Sequence, residues 1–111
     1  MLNDYTELLG SFLQKNHSPL YEKSKQYPLL IKFTANWCGP CRQLQVKISE
    51  LLKEKKDLLF LEIDIEKHSS LVQELNITSI PVCFLFFQER ISKEPQLGRM
   101  DLAQLREFVK I

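Results

Sequence analysis

Hydrophobic positions along the chain change period several times, and each change marks an element. Tyr5, Leu8, Leu9, Phe12 and Leu13 recur at the spacing of one helix face, which predicts a helix over about residues 4–16. Glu7, three residues after Asp4, fits a reciprocal cap. Gly10 weakens this helix by about 1 kcal/mol relative to alanine, and the alternative is a strand within residues 7–14. Ser18 and Pro19 read as the cap and first-turn proline of a second, short helix ending near Gln26. Residues 29–35 are a continuous apolar run broken once, by Lys32, as suits a strand covered on both faces. Residues 41–56 return to helical spacing through Leu44, Ile48, Leu51 and Leu52, and 58–65 form a second buried strand. Ser70 with Gln73 predicts a capped short helix through Leu75. Residues 82–87 read as a third strand and 91–97 as a fourth, which Pro95 places at the sheet edge because it has no N–H to donate. Residues 101–110 close the chain as a helix with Leu102, Leu105, Phe108 and Val109 on one face.

Strand, helix, strand, helix, then a hairpin and a helix give an α/β fold: a central mixed β-sheet flanked by helices on both faces. No repeat, low-complexity tract or linker divides the chain, so one domain over residues 1–111 is expected, with 1–17 as its N-terminal helix. The 111 residues suffice to bury about 65% of the unfolded surface around one core. An apolar share of 44% and a charged share of 26% exclude disorder and coiled coil for the whole chain. A net charge of +1 gives no reason to expect nucleic acid or an anionic membrane as partner, and Glu54 and Asp57 dilute the cluster of Lys53, Lys55 and Lys56. The longest apolar runs, 58–61 and 80–87, fall far short of the ~20 residues that span a bilayer. Residues 1–15 carry Asp4 and Glu7 and no apolar core of a secretory signal, so a cytoplasmic location is expected. In a reducing compartment three cysteines are chemistry or packing rather than a disulfide framework.

The chemistry concentrates at Trp37-Cys38-Gly39-Pro40-Cys41, where a buried strand turns into a helix. Cysteines three apart share a helix face and can join as a disulfide. Cys38 falls at the helix N-terminus, where unpaired amides and the helix dipole favour a thiolate. Gly39 leaves the approach to it open, and Pro40 is tolerated in the first turn. The cycle this predicts is attack by Cys38 on a substrate disulfide, a mixed disulfide, and release by Cys41. The same spacing suits a zinc half-site, but Cys83, His17 and His68 form no second close pair, so no metal is expected. Cys83 reads as a small buried hydrophobe, His17 and His68 as surface residues, and Phe84, Phe86 and Phe87 as core.

The segment Phe33-Thr34-Ala35-Asn36-Trp37-Cys38-Gly39-Pro40-Cys41-Arg42 resembles the active-site segment of the thioredoxin family almost residue for residue. Ile63-Asp64-Ile65-Glu66 is similar to that family's second buried strand, Thr78-Ser79-Ile80-Pro81-Val82 to its cis-proline loop, and Leu97-Gly98 to its third substrate-contacting loop. The resemblance covers the chain from about residue 18 onward. It implies the thioredoxin fold, Cys38 as an exposed attacking thiol and Cys41 as a buried resolving thiol. It further implies a cis Pro81 facing the disulfide, the Ile80 backbone free to pair with an extended substrate, and a shallow surface of Trp37, Ile80 and Gly98 around Cys38, beside Gly39 and Pro40. The implied activity is reduction of protein disulfides by a protein with no bound cofactor, acting as a monomer and recharged by a thioredoxin reductase. The Gly-Pro dipeptide resembles the reducing members.

Four features depart from that pattern. Where the family carries a buried acid, six residues before the first cysteine, this chain has Lys32, and where many bacterial members place lysine on the next strand it has Glu62. Lys32 and Glu62 are candidates for the same pair with charges exchanged, with Glu62 as proton acceptor; the alternative is that Lys32 snorkels to solvent beside an exposed Glu62. Val46 stands where a proline commonly kinks the active-site helix. The hairpin Gln88-Glu89-Arg90 has no glycine and reads one residue longer than usual. The N-terminal helix stands in place of the family's first strand. A second functional class therefore stays open, a thioredoxin-fold binding or targeting module whose cysteines are vestigial or regulatory.

Overall fold

The structure is a computed structural model that describes residues 2–111, with the side chains of 2–4 left aside, so the Asp4 cap lies outside the described residues. Alternation of period two decides the architecture. On the strand β1 (Leu29–Thr34), Leu29, Ile31 and Phe33 face one way, and Leu30 and Lys32 the other. The first set joins Val82, Phe84 and Phe86 of β3 (Val82–Phe87) in a core covered by α1 (Leu2–Asn16), α2 (Ser18–Lys23) and α4 (Ser69–Glu74). The second set joins Cys83 and Leu85 under α3 (Gly39–Glu54) and α5 (Leu102–Phe108). A strand buried on both faces reads as a continuous apolar run, as residues 29–35 do.

The sheet runs β2–β1–β3, where β2 is Leu59–Asp64, with β4 (Arg90–Ile91) and β5 (Gln96–Leu97) both pairing the far edge of β3. β1 and β2 are parallel, with Lys32 opposite Glu62; β1 and β3 are antiparallel, with Lys32 opposite Cys83. Among the described residues no strand precedes β1, so β2 is a sheet edge and α1 packs against β4, α2 and α4 instead. Leu9 and Leu13 of α1 are fully buried, Tyr5 meets the Phe84 ring edge-on, and Thr6 Oγ1 accepts a hydrogen bond from the Ile91 N–H at 3.0 Å. The N-terminal segment is helical throughout residues 7–14, without the alternative strand.

Several boundaries differ from expectation. The active-site helix starts at Gly39, two residues early, because Pro40 is already in its first turn. Ser18 lies inside α2 and His17 at its cap with no side-chain bond, and α2 ends at Lys23 rather than near Gln26. Ser70 likewise lies inside α4, whose cap is His68. The fourth strand is two fragments: Phe86 pairs with Ile91 but Cys83 with Gln96, so the register slips by two residues across 92–95, where Pro95 cannot donate. The hairpin turn is shorter than expected, only Gln88 and Glu89, with Arg90 already in β4. Both turn residues have positive φ (53° and 68°), a conformation that glycine usually supplies. They are held there by Gln88 N–H donating to Ser24 O at 2.9 Å and Tyr21 Oη donating to Glu89 Oε1 at 2.9 Å. Asp101 caps α5 in a reciprocal box with Gln104.

Candidate active site

β1 delivers the chain to Ala35, and Cys38 leaves it in an extended conformation (φ −90°, ψ 106°) as the N-cap of α3. Its Sγ accepts a hydrogen bond from Cys41 N–H at 3.1 Å, so a helix-terminal amide that lacks a backbone partner is directed at that sulfur. Cys38 and Cys41 are joined as a disulfide across a Cα–Cα distance of 5.3 Å. Cys41 is fully buried and Cys38 is 4% accessible, so Cys38 is far less exposed than expected. The cause is packing: Ala35, Ile65 and Ile80 close around the pair.

Trp37, beside it, is 64% exposed, and its indole N–H donates to Glu66 Oε2 at 3.0 Å, which fixes the ring over the rim of the site. The Ile80–Pro81 peptide is cis. Pro81 O accepts from Gly98 N–H at 2.8 Å, tying the two loops together, and Gly98 has φ 82°, a conformation that a side chain would strain. A cavity of about 300 Å³ opens between Trp37 and Ile80, floored by Ile65, Val72 and Ile77. Trp37 and Ile80 thus line one cavity, Ile80 also packs against Cys38, and Pro81 next to it is bonded to Gly98.

Beneath the disulfide, Lys32 is 1% exposed and does not reach solvent. Its ammonium donates to Cys41 O at 2.8 Å, Gln45 Oε1 at 2.9 Å and Glu62 Oε2 at 3.0 Å. The exchanged pair is therefore present, with a buried cation and a half-exposed carboxylate at 44%. Glu62 reaches Lys32, and Lys32 reaches the backbone of Cys41. Sequence reasoning missed Gln45 and Glu66. Gln45 carried a signal, four residues after Cys41 and so one turn along the same helix face; Glu66 lay inside a motif without marking its partner.

Cys83 is buried and unpaired, and loss of hydration pushes its thiol up to about 12, against a smaller downward pull from the Lys32 charge. In the oxidised native protein, iodoacetamide at pH 8 is expected to label no cysteine, and in urea to label Cys83 alone, as read by mass spectrometry. Labelling of the native protein would contradict this burial. His17 and His68 are half-buried rather than free on the surface, each against the Phe12 ring with centroids 5.8 and 5.0 Å away. Val46 is 58% exposed on α3. Among the described residues no cluster of three or more His, Cys, Asp or Glu could hold a metal ion, and no helix is long and apolar enough to cross a membrane.

Two joinable sulfurs at the start of a helix, one of them favoured as an anion, exchange disulfides, and the chain is by this chemistry a thiol–disulfide oxidoreductase. The thioredoxin family model matches residues 12–111. Thioredoxin of Mycoplasmoides gallisepticum is 33% identical over 82 residues, 74% of this chain and 81% of the relative. Thioredoxin Asp f 28 of Aspergillus fumigatus is 30% identical over 83 residues, 75% of this chain and 76% of the relative. The X-ray structure of Fasciola hepatica thioredoxin shares the fold with a TM-score of 0.73 at 24% identity, over 83% of this chain and 86% of that one. The chain belongs to the thioredoxin family and reduces protein disulfides through the Cys38–Cys41 dithiol.

Proposed function

We propose that this protein is a cytoplasmic, monomeric reductant in which Cys38 is the nucleophile and Cys41 the resolving thiol. The observation that carries the assignment is the Cys41 amide directed at Cys38 Sγ, which favours negative charge on that sulfur. In the reduced protein the Cys38 thiolate attacks one sulfur of a substrate disulfide. The other substrate sulfur leaves and takes a proton. Cys41 then loses its proton and attacks Cys38, releasing the second substrate thiol and restoring the disulfide. Two electrons pass from the dithiol to the substrate, and a thioredoxin reductase returns them.

The extended substrate segment lies across the Ile80 backbone, whose N–H and C=O carry no backbone hydrogen bond among the described residues. Gly39, Pro40 and Gly98 let that segment approach. An apolar substrate side chain next to the disulfide enters the cavity between Trp37 and Ile80. The test is reduction of insulin disulfides by the purified dithiol protein, with NADPH and a thioredoxin reductase as the electron source. Turnover in proportion to protein concentration is expected; a protein that binds partners but transfers no electrons would instead be the binding module.

A further inference from the structure

We infer that Lys32 is a positioning residue for the resolving step, a fixed buried cation that stabilises the Cys41 thiolate in place of a base that removes its proton. The inference rests on the dithiol cycle above. Its first support is donor accounting: an ammonium has three protons, and three acceptors stand at 2.8, 2.9 and 3.0 Å. Lys32 is thus saturated as a donor, and a saturated ammonium has no lone pair with which to take a proton from a thiol.

The second support is the asymmetry of the pair. Of the three acceptors only Glu62 is charged, and its carboxylate is 44% exposed while Lys32 is 1% exposed. Water screens the exposed anion and leaves the buried cation largely unscreened, so the net field reaching the underside of Cys41 is positive. The third is reach: Lys32 is bonded to the Cys41 carbonyl itself, while its charge also acts on Cys83 across the sheet. The groups that face Lys32 from neighbouring elements are Cys41 and Gln45 on α3, Glu62 on β2 and Cys83 on β3.

In the mixed disulfide, Cys41 gives its proton to water. Its thiolate attacks Cys38 Sγ, the bond from Cys38 to the substrate sulfur breaks, and the departing thiolate takes a proton from water. No net proton and no further oxidant is required. Lys32 contributes by raising the fraction of Cys41 present as thiolate during that attack. A tenfold loss of thiolate is offset in part by the greater nucleophilicity of a more basic sulfur, which leaves about a threefold change in rate.

The experiment is a single-turnover reaction of reduced protein with a model peptide disulfide at pH 7, quenched with acid, following the mixed disulfide by mass spectrometry. Lys32→Gln keeps a hydrogen-bond donor and removes the charge, and it is expected to lengthen the lifetime of the mixed disulfide at least about threefold. Lys32→Arg keeps the charge and is expected to stay within about twofold of the parent. Lys32→Met, an uncharged side chain of similar length, is the second neutral variant if Lys32→Gln does not fold. Glu62→Gln removes the anion and is expected not to lengthen the lifetime. An unchanged lifetime in the folded neutral variants overturns the inference. So does a longer lifetime in Glu62→Gln, which would make the carboxylate the base. A parent that the peptide disulfide does not oxidise at all would instead mean that the dithiol cycle itself has failed.

Discussion

Cys38→Ser is expected to lower insulin reduction at least about a thousandfold, because a hydroxyl at this position cannot supply the thiolate on which the exchange depends. The loss should be chemical rather than structural. Cys38 Sγ accepts one hydrogen bond, from Cys41 N–H, and a serine oxygen is a good N-cap acceptor for the same amide, so α3 keeps its start. Cys41→Ser is expected to fail differently. The first attack survives, the second has no thiol, and the mixed disulfide accumulates to one equivalent per protein. Cys83→Ala, two residues beyond Pro81 in a site the thiol cannot leave, is expected to keep its turnover. These three outcomes are read from one insulin assay and one intact-mass measurement. Residual activity in Cys38→Ser above a few per cent would move the nucleophile to another sulfur.

What the sequence discloses of this site, and what it conceals, follows from the range of the interactions involved. The N-cap position of Cys38, the first-turn proline and the shared face of the two cysteines are local, and the spacing Cys-Gly-Pro-Cys carries all three. The faces of β1 and β3 are also legible, since a run such as Leu29-Leu30-Ile31 has no polar side to place in water. Lys32 is different. One lysine within an apolar strand either snorkels or is buried, and the choice depends on Glu62 thirty residues away and on Gln45 from a packed helix. No local pattern contains that information. The low accessibility of Cys38 has the same origin, because Ile65 and Ile80 arrive from different loops. The break in the fourth strand and the two-residue turn at Gln88-Glu89 are register events, settled by pairing with β3 and by Ser24 and Tyr21 of a distant segment.

Leu9→Ala and Leu13→Ala are each expected to lower the free energy of unfolding by about 2–5 kcal/mol, measured by urea denaturation. Both side chains are wholly excluded from water, four residues apart on the inner face of α1, within the core formed with Phe84, Phe86 and Ile91. A domain of this size has about 5–15 kcal/mol in all, so the double variant is expected to be largely unfolded at 25 °C. The family match begins at residue 12, between the two leucines. If the segment before it were an appendage to a self-sufficient fold, Leu9→Ala would cost under about 0.5 kcal/mol while Leu13→Ala kept its full effect. Equal costs would establish that α1 is part of the core that supports β3, and through β3 the Pro81 loop. Gly10→Ala supplies the opposite sign within the same helix. Its new Cβ would meet Phe86 Cζ at 3.9 Å, an ordinary contact, and the backbone there needs no glycine. The helix then gains the difference in propensity, about 0.5–1 kcal/mol, so one surface of α1 is expected both to lose and to gain stability according to the volume placed against the same core.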